Sequence, residues 1–313
     1  MQISMLNKER CEIIRSKQSI IEYVPEFLKS IDINKSSKRT YSDHLKLFFR
    51  WLMKNKIDIP TRGNILEYKE YLSSKKKPNT ISLTINVLSI FFKYLARIKV
   101  YTNITADVKR PKRPKGFLKS SLSKDYVKLL LGSIDCNTLQ GKRDYVIINL
   151  MIRTGLRLME IVCANREDIM HHASDTVLFI QGKGHNSKDE FILLTDATLR
   201  PIKEYFNMRG LVRDAHPIFV SHSTRNPGDR LTTRSISRIV KNRLKAININ
   251  DPRFTAHSMR HTAITFSLLS GATLQETQVF ARHANINTTL IYSHNIDRIK
   301  NAAERKIDAL LYE

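Results

Sequence analysis

The sequence predicts a mainly α-helical protein with a small β-sheet in its second half. Three observations predict this fold class. Apolar residues recur at helical spacing through most of the chain, two β-branched apolar runs flank a glycine-bearing polar segment, and a proline-interrupted basic segment separates two periodic regions. With 313 residues, the chain is long enough for two domains that each bury a core.

The first half, residues 1–110, is predicted to be a small all-α domain. Tyr41, Leu45, Phe48 and Leu52 recur at helical spacing and define one apolar face. Because helical periodicity alone generates a core stripe, we assign these aromatic residues to packing. Ser36 or Ser37 can cap this helix. Further helices are predicted over residues 17–30, 65–72 and 81–100.

A basic segment, 109–116, marks the boundary between the two halves. It holds two prolines and five cations, so we predict an extended linker that lies along phosphates and leads, at about residue 116, into a second domain over 117–313. Its candidate DNA contacts are Lys109, Arg110, Lys112, Arg113 and Lys115.

The second half is predicted to combine helices with one β-hairpin. Ser123 can cap a helix over 124–131, and a more buried helix follows. The β-branched runs at 176–180 and 191–194 predict the two strands of the hairpin. Helices are predicted over 142–153, 196–208, 233–246, 257–269, 274–281 and 287–292, with a final amphipathic stretch over 296–311.

The charge balance indicates a polyanionic partner. Lys and Arg number 53 against 29 Asp and Glu, a formal charge of +24, which favours nucleic acid first and an acidic membrane surface second. No segment has the length and apolarity of a signal core or a membrane span, so we expect a cytoplasmic protein without a membrane partner. The spacings of its Cys and His residues suit no metal site, and we expect loop positions for His171, His172 and His185.

Two arginine motifs indicate phosphate binding. In TGLRLMEI, residues 154–161, Glu160 lies three residues after Arg157 and can orient it. In TAHSMRHT, residues 255–262, His257 and Arg260 lie one helical turn apart, where an imidazole and a guanidinium can bind one phosphate. Each motif alone is common on solvated helices.

The order of the motifs resembles that of a known family. GLRxxE, a GKG in the hairpin, HxxRHT, and a histidine nine residues before a tyrosine follow one another between about residues 142 and 294. This order resembles the tyrosine recombinase, or phage-integrase, family. The resemblance implies a simple Xer-like protein in which an all-α core-binding domain of the SAM-like type and an α+β catalytic domain form a C-shaped clamp on DNA.

The same resemblance implies which residues are catalytic. Tyr292 would attack a scissile DNA phosphate, forming a 3′-phosphotyrosyl intermediate and releasing a 5′-hydroxyl. Arg157 and Arg260 would bind the non-bridging oxygens, a task that suits guanidinium groups because they stay charged and donate bidentately. No cofactor or metal is implied, since the phosphotyrosine retains the energy of the broken bond.

Three further roles follow from the resemblance. Lys183 would be the general acid for the leaving 5′-oxygen, with Lys188 as a rival for that role. His257 would help position the phosphate and accept the proton of Tyr292, and His283 would add a phosphate hydrogen bond. We expect His261, which directly follows Arg260, to be a packed structural residue.

One position departs from the family pattern, and one further helix holds candidate DNA contacts. Arg282 stands where the family commonly has glycine, which suits a left-handed helix end. The pattern therefore does not define the residue at which this helix ends. Arg234 and Arg238 lie near the start of a predicted helix and are candidate DNA contacts.

The resemblance also implies an assembly. Four protomers would bring paired recombination sites together and exchange strands through a Holliday junction. A second recombinase or an accessory protein could take part. The apolar stripe of 296–311 can pack in cis or dock on a neighbour, and family behaviour favours docking. The alternatives are a type IB topoisomerase-like relaxing enzyme and a non-catalytic DNA-binding regulator. Integration, excision and dimer resolution remain open as biological roles.

Overall fold

The computed structural model describes residues 17–112, 120–182 and 187–312. The chain divides into two compact units, Met1–Lys115 and Gly116–Glu313, and each has its own apolar core. The predicted fold class is confirmed, because both units are mainly helical and the second carries a small antiparallel sheet.

The described part of the first unit is helical. Its helices are α1 (Lys17–Glu22), α2 (Val24–Ser30), α3 (Lys35–Lys54), α4 (Arg62–Ser73) and α5 (Pro78–Arg97).

Two local details of this unit differ from the sequence prediction. The predicted first helix is divided at Tyr23, just before Pro25 in the first turn of α2, because proline has no N–H to continue the preceding turn. The cap of α3 is Asn34, and not Ser36 or Ser37: the Asn34 side chain accepts a 2.8 Å hydrogen bond from the backbone N–H of Ser37.

Aromatic rings fill the core of the first unit, as predicted. Phe27, Phe48, Phe91 and Phe92 are fully buried. The rings of Phe27 and Phe91 meet edge to face, with centroids 5.2 Å apart. Such contacts add to the free energy that the buried area supplies, so aromatic packing is a main source of stability for these helices.

The second unit surrounds a central buried helix, α7, which packs against α9 and α11. Its elements are α6 (Lys124–Gly132), α7 (Leu139–Thr154), α8 (Leu158–Cys163), β1 (Ile169–His172), β2 (Asp175–Ile180), β3 (Glu190–Leu193), α9 (Asp196–Arg209), α10 (Thr233–Ala246), α11 (Ala256–Leu269), α12 (Leu274–Ala281), α13 (Asn287–Lys300) and α14 (Ala303–Tyr312).

The sheet contains the predicted hairpin and one strand more. β2 and β3 pair antiparallel, with Val177 opposite Leu193. The loop prediction for His171 and His172 is wrong, because both lie in β1, which pairs with β2. The strand escaped prediction because it is short and its exposed residues show no apolar alternation. His185 lies outside the described residues.

The predicted amphipathic stretch, 296–311, is divided between two helices. α13 ends at Lys300 and α14 begins at Ala303, with Ile307, Leu310 and Leu311 exposed on it. In the described ranges, no helix is both long and apolar enough to cross a membrane.

Candidate active site

The site begins where α7 ends. Gly155 takes the left-handed conformation (φ 62°) that closes this helix, and Arg157 follows as the N-cap of α8. Glu160 sits in the first turn of α8, where one of its carboxylate oxygens accepts from the Arg157 backbone N–H and the other from the guanidinium, both at 2.7 Å. The predicted orientation of Arg157 by Glu160 is therefore present in the structure.

A second arginine reaches the same place from α11. The buried guanidinium of Arg260 donates to the carbonyl of Gly155 at 2.5 Å and to the carbonyl of Ala281. Burial, together with the neighbouring charges of Arg157 and Arg282, lowers the pKa of Arg260 to about 10, so it still carries its charge at neutral pH. These cations repel one another, and an anion bound between them would relieve the repulsion.

Glu160 is the buried acid that balances part of this charge. Burial alone would raise the pKa of its carboxyl, but the charge of Arg282 and the hydrogen bonds from Arg157 outweigh burial and hold the pKa below its usual range. The carboxylate is therefore ionised at neutral pH.

The candidate nucleophile lies beside a histidine that the sequence prediction treated as structural. Tyr292, on α13, is buried, and its hydroxyl oxygen lies 2.5 Å from Nδ1 of His261 on α11. Burial raises the pKa of Tyr292 to about 12, so the hydroxyl keeps its proton at rest and must hand it to an acceptor in order to attack.

Two further histidines complete this cluster. His283 is 2.9 Å from the hydroxyl of Thr289, and its ring stacks near Tyr292 with centroids 6.3 Å apart. Burial and the charges of the nearby arginines lower the pKa of His283 to about 4, so it is neutral at pH 7. His257 is exposed and meets the ring of His261 edge to face, with centroids 4.6 Å apart. Their spacing of four residues was the available sequence sign for His261.

Arg282, which the sequence marks only as a departure from the family pattern, also belongs to the site. It ends α12 in the left-handed conformation (φ 52°), as the glycine of the family pattern would. Its guanidinium turns into the pocket and donates to Glu160 at 3.0 Å and to the carbonyl of Gly155 at 3.2 Å. Only packing brings these residues together, since Glu160 and Arg282 are 122 positions apart.

The structure describes one of the two lysines proposed for the acid role. Lys183, the preferred candidate, lies outside the described residues. The ammonium of its rival, Lys188, forms an ion pair with Asp168 at 2.5 Å. This ion pair occupies Lys188 with a carboxylate outside the arginine pocket.

The predicted DNA contacts lie on the surface where they are described. Lys109, Arg110, Lys112, Arg234 and Arg238 are exposed, the last two in the first turns of α10. Arg113 and Lys115 lie outside the described residues. Across the described ranges, no three His, Cys, Asp or Glu side chains are grouped so that they could hold a metal ion.

Comparison with protein families covers both units. The second unit, which gathers arginines, histidines and a tyrosine, is matched over residues 120–298 by the model of the phage integrase family. Residues 20–101 match the N-terminal SAM-like domain of phage integrases. The chain belongs to the phage integrase family. Within that family it is a tyrosine-type site-specific recombinase of the Xer-like kind.

Individual relatives agree with this assignment. The chain is 30% identical to the tyrosine recombinase XerC of Caldanaerobacter subterraneus, with 82% of this chain and 77% of the relative covered. It is 29% identical to the tyrosine recombinase XerA of Pyrococcus horikoshii, with 91% and 92% covered. The fold is also similar to that of XerH site-specific recombinase in a post-cleavage complex with palindromic difH substrate, with TM-score 0.70, 18% identity, and 93% and 91% covered. Neither alternative function is favoured.

Proposed function

We propose that this recombinase cleaves one DNA strand with Tyr292 and keeps the 3′-phosphate as a phosphotyrosine until a 5′-hydroxyl rejoins it. The observation that carries the proposal is the buried tyrosine on α13, packed with His261 and His283 beside the cationic pocket of Arg260. A buried tyrosine in contact with two histidines and electrostatically coupled to a buried arginine suits attack on a phosphate better than core packing alone.

The arginines bind and stabilise the phosphate in this mechanism. Arg157 and Arg260 keep their charges next to each other, and negative charge accumulates on the non-bridging oxygens as Tyr292 attacks. The backbone carbonyls of Gly155 and Ala281 hold the Arg260 guanidinium in place before substrate arrives. Such preorganisation costs no rearrangement during the chemical step.

The proton of Tyr292 needs an acceptor, and we assign the role of acceptor to His261 and not to His257. Nδ1 of His261 is within hydrogen-bond distance of the hydroxyl, whereas His257 reaches the pair through its ring contact with His261. His257 and the neutral His283 are left to hydrogen-bond the phosphate. The O–P bond to Tyr292 forms, the bond to the 5′-oxygen breaks, and Lys183 supplies the proton to that oxygen; religation is the reverse, without ATP.

Both units contribute to DNA binding in this proposal. The SAM-like unit, residues 1–110, and the catalytic unit, 117–313, would each contact the duplex. Lys109, Arg110, Lys112, Arg113 and Lys115 of the linker, with Arg234 and Arg238 of α10, would contact phosphates. The net charge of +24 supports this proposal, and binding should weaken steeply with added salt because neutralised phosphates release counterions.

We further propose a homotetramer on paired sites, with α14 docking on the neighbouring protomer. The exposed Ile307, Leu310 and Leu311 give α14 an apolar face that the described residues of its own chain do not cover. Deletion of 303–313 should reduce the two-site DNA complex from tetramer to smaller species in analytical ultracentrifugation. An unchanged tetramer would refute docking in trans. Purified protein alone in a two-site plasmid reaction would show whether a second recombinase or an accessory protein is needed.

Covalent trapping tests the central chemistry. The protein first selects its own site from a randomised duplex library, and that site is then built as a nicked suicide duplex. We expect a covalent protein–DNA adduct that retains a label at the 5′ end of the cleaved strand, and no adduct with Tyr292→Phe. An adduct that persists in Tyr292→Phe, or the absence of an adduct with the unaltered chain, overturns the proposed function.

A further inference from the structure

Arg282 occupies a position that favours glycine. Its backbone is left-handed, with φ 52° and ψ 50°, a conformation in which a side chain carries a steric cost. The Arg282 carbonyl accepts a 2.7 Å hydrogen bond from the Arg157 guanidinium. The turn itself therefore helps to hold a phosphate-binding arginine, and the arginine side chain is an addition to that turn.

The Arg282 side chain points away from solvent. It is 8% exposed, and its two terminal nitrogens donate to Glu160 and to the carbonyls of Gly155 and Phe280. These donors are engaged within the protein, so Arg282 is placed to position other groups and not to bind the phosphate.

A second carboxylate faces the remaining nitrogen of Arg282. Nε of Arg282 lies 4.0 Å from Oε2 of Glu190, the first residue of β3. Among the buried side-chain nitrogen and oxygen atoms of the described residues, Nε of Arg282 and Oε2 of Glu190 are the two that lack a hydrogen-bond partner. One is a donor and the other an acceptor, and a small approach joins them in a charge-assisted hydrogen bond.

The Glu190 carboxylate also lies close to the segment that follows β2. A Cβ at Gly182 would lie 3.1 Å from the Cδ and from Oε1 of Glu190, which is tighter than ordinary contact. Glycine at this position therefore lets the carboxylate lie against the backbone just after β2. Glu190 thus contacts both sides of the hairpin base and faces Arg282.

We propose that Arg282 is a positioning residue that ties the base of the β2–β3 hairpin, through Glu190, to the phosphate-binding Arg157, through Glu160. This inference rests on the proposed function. Lys183, the proposed acid, directly follows Gly182 in the sequence. Loss of the pair between Arg282 and Glu190 should therefore impair proton delivery to the leaving oxygen more than phosphate binding.

The test compares two leaving groups in single-turnover cleavage of the suicide duplex. One substrate has the ordinary 5′-bridging oxygen, and the other has sulfur there, which leaves as a thiolate and needs no acid. Glu190→Gln should lower cleavage of the oxygen substrate by about tenfold to a hundredfold, as misplacement of a catalytic group does, and change the sulfur substrate by less than about twofold. Lys183→Ala should show the same selectivity, and Arg157→Lys should be slow on both substrates.

A double-variant cycle tests whether Arg282 is the partner. Arg282→Gly relieves the backbone cost but removes the cation, and Glu190→Gln should then have no further effect on the ratio of oxygen to sulfur rates. Arg282→Lys, which keeps the charge, should recover part of that ratio. Glu204→Gln, which removes a surface ion pair with Lys142, is the matched control and should leave both rates unchanged.

The outcomes separate this inference from the proposed function. Equal losses on both substrates in Glu190→Gln, no loss at all, or the same Glu190→Gln effect with and without Arg282 each overturn the positioning role. Thermal unfolding of each variant identifies loss of fold, and Arg282→Asn, which also lacks the cation and tolerates a left-handed backbone, then replaces Arg282→Gly in the cycle. Absence of a Tyr292 adduct with the unaltered chain on either substrate refutes the proposed function itself.

Discussion

The two units bury different kinds of residue. The first unit closes around phenylalanines, and its buried polar side chains in the described range are Ser82, Thr84 and Thr105. The second unit buries ions: the charged side chains among the buried residues of the described chain, such as Glu160 and Arg260, all belong to it. Burying ions costs desolvation energy that a purely structural core avoids.

Within the second unit, two buried charge clusters differ in balance. The carboxylate of Asp144, in the first half of α7, is shared by Arg143 and Arg243, at 2.7 and 2.6 Å. In the active site, Arg157, Arg260 and Arg282 converge with Glu160 as their buried acid. Packing supplies the stability of the first unit, whereas the second unit also keeps costly buried charges, and we propose that those around Glu160 serve phosphate chemistry.

Phe91→Ala should give the largest loss of stability. Its ring packs edge to face on Phe27 and Phe49, so its removal leaves a cavity and should cost the first unit about 3–5 kcal/mol. Hydrogen exchange of the full chain measures this loss unit by unit. Leu47→Ala, at an exposed position, is the control. A fall of the single-turnover cleavage rate at saturating DNA would break the division of labour between the units.

Arg260→Lys should give the largest loss of catalysis. Lysine keeps the charge but loses the fork that bridges the carbonyls of Gly155 and Ala281, so cleavage should fall by about a thousandfold. The free energy of unfolding should fall by only about 1 kcal/mol. Single-turnover cleavage and urea unfolding measure the two effects. A stability loss as large as that of Phe91→Ala would contradict a catalytic reason for burying this charge.

His261→Gln should slow cleavage by about a hundredfold, since it removes the proposed proton acceptor of Tyr292. The second unit offers a matched control in Tyr205 and His222, a tyrosine–histidine pair with a 3.0 Å contact away from the pocket. His222→Gln should leave the cleavage rate unchanged. Equal rates for the two variants would show that His261 serves only packing.

His283 should make the stability of the second unit depend on pH. Its pKa is about 4 in the folded chain against an ordinary 6.5, so between these values the unfolded state binds more protons. Stability is therefore full above pH 6.5 and declines as the pH falls toward 4. In urea unfolding across this window, His283→Gln should show a smaller decline than the unaltered chain. Parallel curves would show that burial and the nearby arginines do not hold His283 neutral.

Sequence patterns predicted elements well where local physics determines them. α10 and α12 begin and end at the predicted residues because amphipathic periodicity and polar caps specify them. Two predictions failed for different reasons. β1 forms because β2 pairs with it, whereas α3 begins after several neighbouring polar residues that can each cap a helix, and the extended backbone at Asn34 selects that one.

The sequence by itself determined the family, the order of its motifs, and the identity of the residues proposed to act on phosphate. The tertiary structure decided their partners. Tyr292 meets His261 across 31 positions, and the Arg282 carbonyl receives Arg157 across 125. Such contacts depend on how α11, α12 and α13 pack, and packing is set by the sum of many side-chain volumes that no local motif encodes.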